Sequence, residues 1–333
     1  MIIGDELGCW LGDETAQLAT KSAIEAFGKQ FRAAGPMANL AGRLASVEPD
    51  DSNGIMKVAS EFVERPDLID TAMIDMLRAA AADPFYRPPL RRVHSQVHLG
   101  LLLLDSPKLS ILLAVMTPDA LAAKRRSRAG SASITFGGQC NIFKFLKAGE
   151  AVISFWEAPA IEAGFTADSS RCCRKIGQKR IVDGDTFSID GSRQSFVVEH
   201  AVSDLVYIQA VTPAGAAPVS VEYDADTLSF AGASSTDEIG SRVQMMVSLL
   251  RLLDRRDAAP LIRECLASPH FYVRWHVMRE FLALDAELAL PSLRKMAESD
   301  PHPEVRDAAK QTLAAFFSDE QDASDREDHL CRA

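Results

Sequence analysis

With 333 residues, of which 47% are hydrophobic and 25% charged, the chain is too long for one ordinary core and holds apolar material for two or three domains. Its formal net charge of -10 repels a phosphate backbone, which sets general nucleic-acid binding aside. Asp5, Glu6, Asp13 and Glu14 interrupt the N-terminus, so no signal peptide is expected and the cytoplasm is the expected compartment.

Residues 1–85 read as an N-terminal helical region. Asp13 to Ala34 and Asp67 to Ala82 are Ala-rich, with apolar residues at helical spacing, and Pro66 suits a helix start. Pro49 to Gly54 forms a turn cluster, and Asp83-Pro84 ends the last helix of the region.

From residue 86 to 231 the helical period is gone. Short Val-, Ile-, Phe- and Leu-rich runs alternate with turns, which predicts strands near 92–104, 109–116, 131–136, 141–147, 151–156, 171–176, 185–189, 194–199, 204–211 and 218–223. Many short strands at close spacing point to a sandwich or barrel. The apolar stretch Leu99 to Met116 is broken by Asp105, Pro107 and Lys108; it reads as two buried strands joined by a turn, and no membrane partner is expected.

Ala231 to Thr236 reads as a small polar linker, after which the helical period returns over 237–317. Shifted by 32 residues, this segment falls on itself: Ser268-Pro269-His270 on Asp300-Pro301-His302, Val273-Arg274 on Val305-Arg306, and Phe281 on Leu313. One step back, Arg242 meets Arg274, Met245 meets Val277 and Leu249 meets Phe281. A fixed period of this size marks a helical solenoid, whose helix pairs bury their apolar sides only by stacking. Residues 318–333 hold six acids against two arginines and read as an acidic, disordered tail.

At Val305-Arg306-x-x-Ala309-x-x-x-Leu313 the sequence resembles the second helix of a HEAT repeat, and Val273, Arg274, Val277 and Phe281 repeat the pattern. The first unit departs from it, with Ser241 where Val is expected. The resemblance implies a surface for a protein partner, with Arg274, Trp275 and Arg306 as candidate contact residues. Packing between helices is the plainer reading of Trp275. His270 and His302 follow a turn proline and read as turn or capping residues.

Within the β region, Ile181-Val-Asp-Gly184-Asp185-Thr-Phe-Ser-Ile189-Asp-Gly191 resembles the second motif of cupins, and Phe143 to Ala151 resembles the end of the first. The implied fold is a cupin-like (RmlC-like jelly-roll) double-stranded β-helix, making the whole chain an α+β multidomain protein. The family's ligand positions fall at Ile142, near Phe136 to Gly138, and near Gln194 or Ser195, which supply no imidazole-and-carboxylate cage. No cofactor is expected. The alternative is a cupin-type enzyme whose unconventional divalent-metal site uses His94 and His98, four residues apart and on one face of a single strand.

Two basic runs remain. Residues 120–149 hold six basic residues and no acid, and Arg171, Arg174, Lys175, Lys179 and Arg180 cluster without an acid between them. The second run is a candidate site for a small anionic ligand, and a solvated strand face is its plainer reading. Six cysteines without a C-x-x-C pair read as free thiols. A homodimer is compatible with a sheet whose edges need cover. The sequence reads as a non-enzymatic binding, regulatory or scaffold protein, with the metal enzyme and an anion or small-molecule sensor as alternatives.

Overall fold

The computed structural model describes residues 2–33, 35–95, 97–127, 133–162, 165–166 and 171–317. The chain forms two compact units. One comprises Met1–Ala160, Ser169–Ala217 and Glu222–Ala231; the other comprises Ile161–Asp168, Pro218–Val221 and Gly232–Ala333. Among the described residues, no helix is long and apolar enough to cross a membrane. The expected tail at 318–333 lies outside the described residues.

The first unit begins with helices α1 (Ile2–Leu11), α2 (Glu14–Ala33), α3 (Gly35–Ala45), α4 (Ser52–Val63) and α5 (Asp67–Ala82). The strands follow as β1 (Arg91–His94), β2 (His98–Asp105), β3 (Ser110–Met116), β4 (Ser133–Phe136), β5 (Cys140–Lys147), β6 (Val152–Glu157), β7 (Arg174–Arg180), β8 (Thr186–Asp190), β9 (Gln194–His200), β10 (Leu205–Thr212), β11 (Val219–Asp224) and β12 (Phe230–Ser235). Helix α6 (Pro118–Ser127) sits between β3 and β4. The sheets have the orders β1-β2-β3-β10-β5-β8, β7-β6-β9 and β12-β11-β4.

The strand expected near 171–176 runs instead over Arg174–Arg180, and three further readings change. The single strand at 92–104 is two strands, because Ser95 donates its N–H to His98 O at 2.9 Å and turns the chain. Helix α6 occupies the start of the first basic run, where the sequence reading placed no helix, and Thr117 Oγ1 caps it by accepting from Ala120 N at 3.2 Å. The linker at Ala231 to Thr236 is largely strand β12; its small residues carry little β-propensity, and the pairing is tertiary.

The six-stranded sheet is covered on both faces. Successive side chains of a strand point to opposite sides, so β5 sends Ile142 and Leu146 into a core shared with α2 to α5, and Phe143 and Phe145 into a second core. β10 divides likewise, with Ile208 and Ala210 on one side and Leu205 and Tyr207 on the other. Burial on both faces explains the unbroken apolar character of β2 and β3. Lys108, in the turn between them, donates its ammonium to Leu44 O at 2.9 Å and to Val47 O, tying the hairpin to the end of α3 and the turn after it.

The second core joins the six-stranded sheet to Ile153 of β6 and Val198 of β9, so these two sheets pack face to face. Gly149 makes one turn of this sandwich possible. Its φ is +59°, and an added Cβ would lie 2.3 Å from Ser203 O.

The second unit carries α7 (Glu238–Leu252), a 3-10 turn (Arg256–Ala258), α8 (Ala259–Cys265), α9 (Phe271–Leu284), α10 (Ala286–Ser299) and α11 (Pro303–Phe316). Val247, Ile262, Val273, Val277, Phe281 and Ala289 form one apolar cluster; Met278, Leu293, Met296, Val305 and Ala309 form the next.

Candidate functional site

A ligand site inside the sandwich needs space, and aromatic rings occupy it. Phe143 meets Phe196 edge-on at 4.8 Å between centroids, Phe187 at 5.6 Å and Tyr207 at 6.1 Å. Phe155 and Phe187 close the cluster at 5.3 Å. Burial pushes the Tyr207 phenol up to about 12, as a dry interior disfavours the phenolate.

The positions that the cupin resemblance assigns to metal ligands do not fit a metal. Ile142 is buried against the helices, Phe136 is buried edge-on to Tyr223 at 5.4 Å, and the Ser195 hydroxyl donates to Thr135 O at 2.5 Å. His94 and His98 do not share a face. The hairpin pairs His94 with Leu99, so His98, one position before Leu99, points the other way. His98 Nδ1 lies 3.1 Å from Ser95 Oγ. Among the described residues, no group of three or more His, Cys, Asp or Glu side chains is placed to hold a metal ion.

The basic cluster lies on β7, an exposed edge strand, where charge discourages further strand pairing. Neighbouring segments bring acids to it. Arg174 pairs with Glu157 at 2.6 Å, Lys179 with Asp185 at 2.9 Å, Lys175 with Glu199 at 3.9 Å, and Arg180 with Glu150. Arg171 precedes the strand, and its carbonyl accepts from Phe230 N at 3.0 Å. The Lys179 ammonium and the Val182 N–H hold the Asp185 carboxyl below the ordinary carboxylate range.

At one end of the sandwich a surface depression of about 820 Å³ is lined by Thr117, Asp119, Lys147, Glu150, Asp183 and Asp204, among others. The Ala148 N–H at 2.8 Å and Lys147 Nζ at 3.2 Å hold Asp183 below the usual carboxylate range, so its charge is committed to the turn.

Two arginines of the helical unit hold its turns. Arg274 donates Nη1 to Ser268 O and Pro269 O, both at 3.0 Å, and Arg306 donates Nη1 to Asp300 O at 2.6 Å and Pro301 O at 3.2 Å. The same reach, six and five residues back, recurs one repeat later. Arg274 also forks onto Asp300 at 2.7 and 2.8 Å with both side chains buried. Burial alone would raise the Asp300 carboxyl, but the Arg274 hydrogen bonds and the His302 N–H outweigh it, and the net shift is downward. Trp275 packs, partly buried, against the Met278 and Leu293 cluster. His270 and His302 occupy the positions before α9 and α11 without capping them through their side chains; His302 instead stacks on Phe271 at 3.9 Å.

Residues 242–314 match the family model for HEAT repeats. No curated protein sequence matches the chain. Solved structures similar to it include ectoine synthase from P. lautus (13% identity, 37% of this chain and 68% of that one, TM-score 0.22). A sugar phosphate isomerase from a cupin superfamily, of Silicibacter pomeroyi, is similar at 12% identity over 45% of this chain and 90% of that one, with TM-score 0.25. An RmlC-like cupin from Shewanella frigidimarina is similar at 8% identity over 38% and 85%, with TM-score 0.22. The chain combines N-terminal helices, a central β-sheet region and a C-terminal helical stretch that matches HEAT repeats.

One surface of this stretch escapes the pairwise alignment. Val273, Arg274, Val277, Met278, Phe281 and Leu284 are buried on α9. Thirty-two residues earlier, α7 places Ser241, Arg242, Met245, Met246, Leu249 and Leu252, and all of these are exposed. Helix α7 is anchored by another face. Gly240 and Val247 are buried there, Val243 and Leu250 pack on the α9 cluster, and Ser248 Oγ lies 3.0 Å from His276 Nε2. Arg242 has no turn to hold and pairs with Glu238 at 2.5 Å instead. Ser241 in place of Val was the sequence signal for this bare face.

Proposed function

We propose that the chain is a cytoplasmic binding or scaffold protein that docks a protein partner on its HEAT-type helices and catalyses no reaction. The match to HEAT repeats over 242–314 supports this reading most directly, since stacked helix pairs present extended surfaces to partners. In the same reading, the sandwich is a jelly-roll scaffold without a resident cofactor. Its aromatic filling favours support over substrate binding.

The test is affinity capture from cells after crosslinking, with partners identified by mass spectrometry, for the full chain and for a variant lacking 237–317. Loss of the identified partners from the deletion variant is expected, with circular dichroism and a cooperative thermal melt checking that the sandwich stays folded. Undiminished capture contradicts the reading.

A further inference from the structure

Helices α7, α9 and α11 are equivalent under the 32-residue shift, and each is the second helix of its repeat. Helix α8 precedes α9, and α10 precedes α11. The element directly before α7 is a strand, not a helix: β12 ends at Ser235, and Asp237 caps α7 by accepting from Ile239 N at 3.1 Å and Gly240 N at 2.7 Å. The array therefore opens on half a repeat.

The two complete repeats define what belongs in the missing place. Ala259 and Ile262 of α8 share a cluster with Val273, Val277 and Phe281 of α9. Leu293, Met296 and Ala297 of α10 share a cluster with Val305 and Ala309 of α11, and Leu313 packs against it. The corresponding side chains of α7 are Ser241, Met245 and Leu249, the last two 66% and 47% exposed. Met246, Leu252 and Leu253 widen the strip, at 58%, 69% and 61% exposed. Exposed large apolar side chains gathered on one helix face mark an interaction site more often than apolar residues scattered singly do.

We infer that the outer face of α7 docks an amphipathic α-helix from a partner protein, seated as α8 seats on α9 and α10 on α11. This rests on the reading of the HEAT-type helices as a protein-docking element. The packing interface that occurs twice inside the array continues one step further, across α7. The internal helices also set the sequence of the incoming one. Ala258, Ile262, Cys265 and Leu266 match Ala289, Leu293, Met296 and Ala297 at a 31-residue shift. The partner helix carries a small residue, Ile or Leu four positions on, and apolar residues at seven and eight. Unbranched Met245 and Met246 let the face adapt to it. The helices of this chain that fit that pattern, α8 and α10, are already engaged on α9 and α11, which points to a partner protein as the source of the incoming helix.

The probe is a fluorescent peptide of sequence 285–300, capped at both ends, titrated against the full-length chain by anisotropy. Saturable binding is expected, weakened at least tenfold by Met246→Glu with Leu249→Glu and unchanged by Leu261→Glu on α8. Both substituted α7 positions are exposed, and thermal melts of the variants confirm folding. Absence of saturable binding overturns the inference, as does binding that the α7 variant leaves unchanged. Sedimentation velocity supplies a third outcome: a dimer that the α7 variant dissolves assigns the face to a second copy and overturns the partner helix. If partner capture survives the α7 variant but not deletion of 237–317, this inference fails while the proposed function stands. If capture survives the deletion as well, the function itself fails.

Discussion

The β-sandwich and the helical array solve the same problem in opposite ways. Each must hide apolar side chains that single elements cannot cover. The sandwich closes on itself, with one sheet face against α2 to α5 and the other filled by Phe143, Phe187, Phe196 and Tyr207. The array covers α9 and α11 by the helices before them and leaves α7 uncovered. A closed core offers a partner little, whereas a half-repeat offers the packing surface that the rest of the array already uses. In the proposed reading, this difference assigns binding to the array and support to the sandwich.

Substitutions sharpen this contrast in order of expected effect. Phe143→Ala removes the hub of the aromatic cluster and costs about 3–5 kcal/mol, measured by equilibrium unfolding. A cost below about 1 kcal/mol would indicate an interior with room to spare. Arg274→Ala strands the buried Asp300 charge and costs about 3–5 kcal/mol, while Arg274→Met with Asp300→Leu recovers most of the loss. If the double variant is no better than the single, the guanidinium contacts to Ser268 O and Pro269 O matter more than the ion pair. Gly149→Ala forces a side chain into left-handed backbone against Ser203 O and costs at least about 1–3 kcal/mol in thermal melts.

Acid supplies a gentler probe. Asp300 has a depressed carboxyl in the folded chain, so its contribution to stability is full above the unfolded value, near pH 4. That contribution fades as pH falls through the lower folded value. Unfolding curves of Asp300→Asn between pH 2 and 7 are expected to show lower stability at neutral pH and a flatter acid limb. An unchanged limb would remove Asp300 from the acid response.

The repeat was legible because its period is long, its turn prolines recur, and Val273-Arg274 and Val305-Arg306 stand in register. Most of the strands were legible from alternation and turns. What eluded the sequence was non-local. Acids at Glu150, Glu157, Asp185 and Glu199 reach β7 through the fold, so its four basic residues read as unopposed in the linear chain. The i, i+4 spacing of His94 and His98 hides a hairpin between them. Beyond Phe230, strand β12 is built from Ala, Gly and Ser, whose local preferences argue against it. Alignment equates Leu249 with Phe281 and cannot register that the helix covering Phe281 has no counterpart over Leu249.

That pair gives the sharpest test. Leu249→Ala and Phe281→Ala change equivalent repeat positions, one 47% exposed and one buried. In amide hydrogen exchange read by mass spectrometry, Phe281→Ala is expected to cost about 3–5 kcal/mol of protection across α8 to α11, and Leu249→Ala less than about 0.5 kcal/mol. Equal losses at the two positions would mean that α7 is covered, and would contradict the open half-repeat.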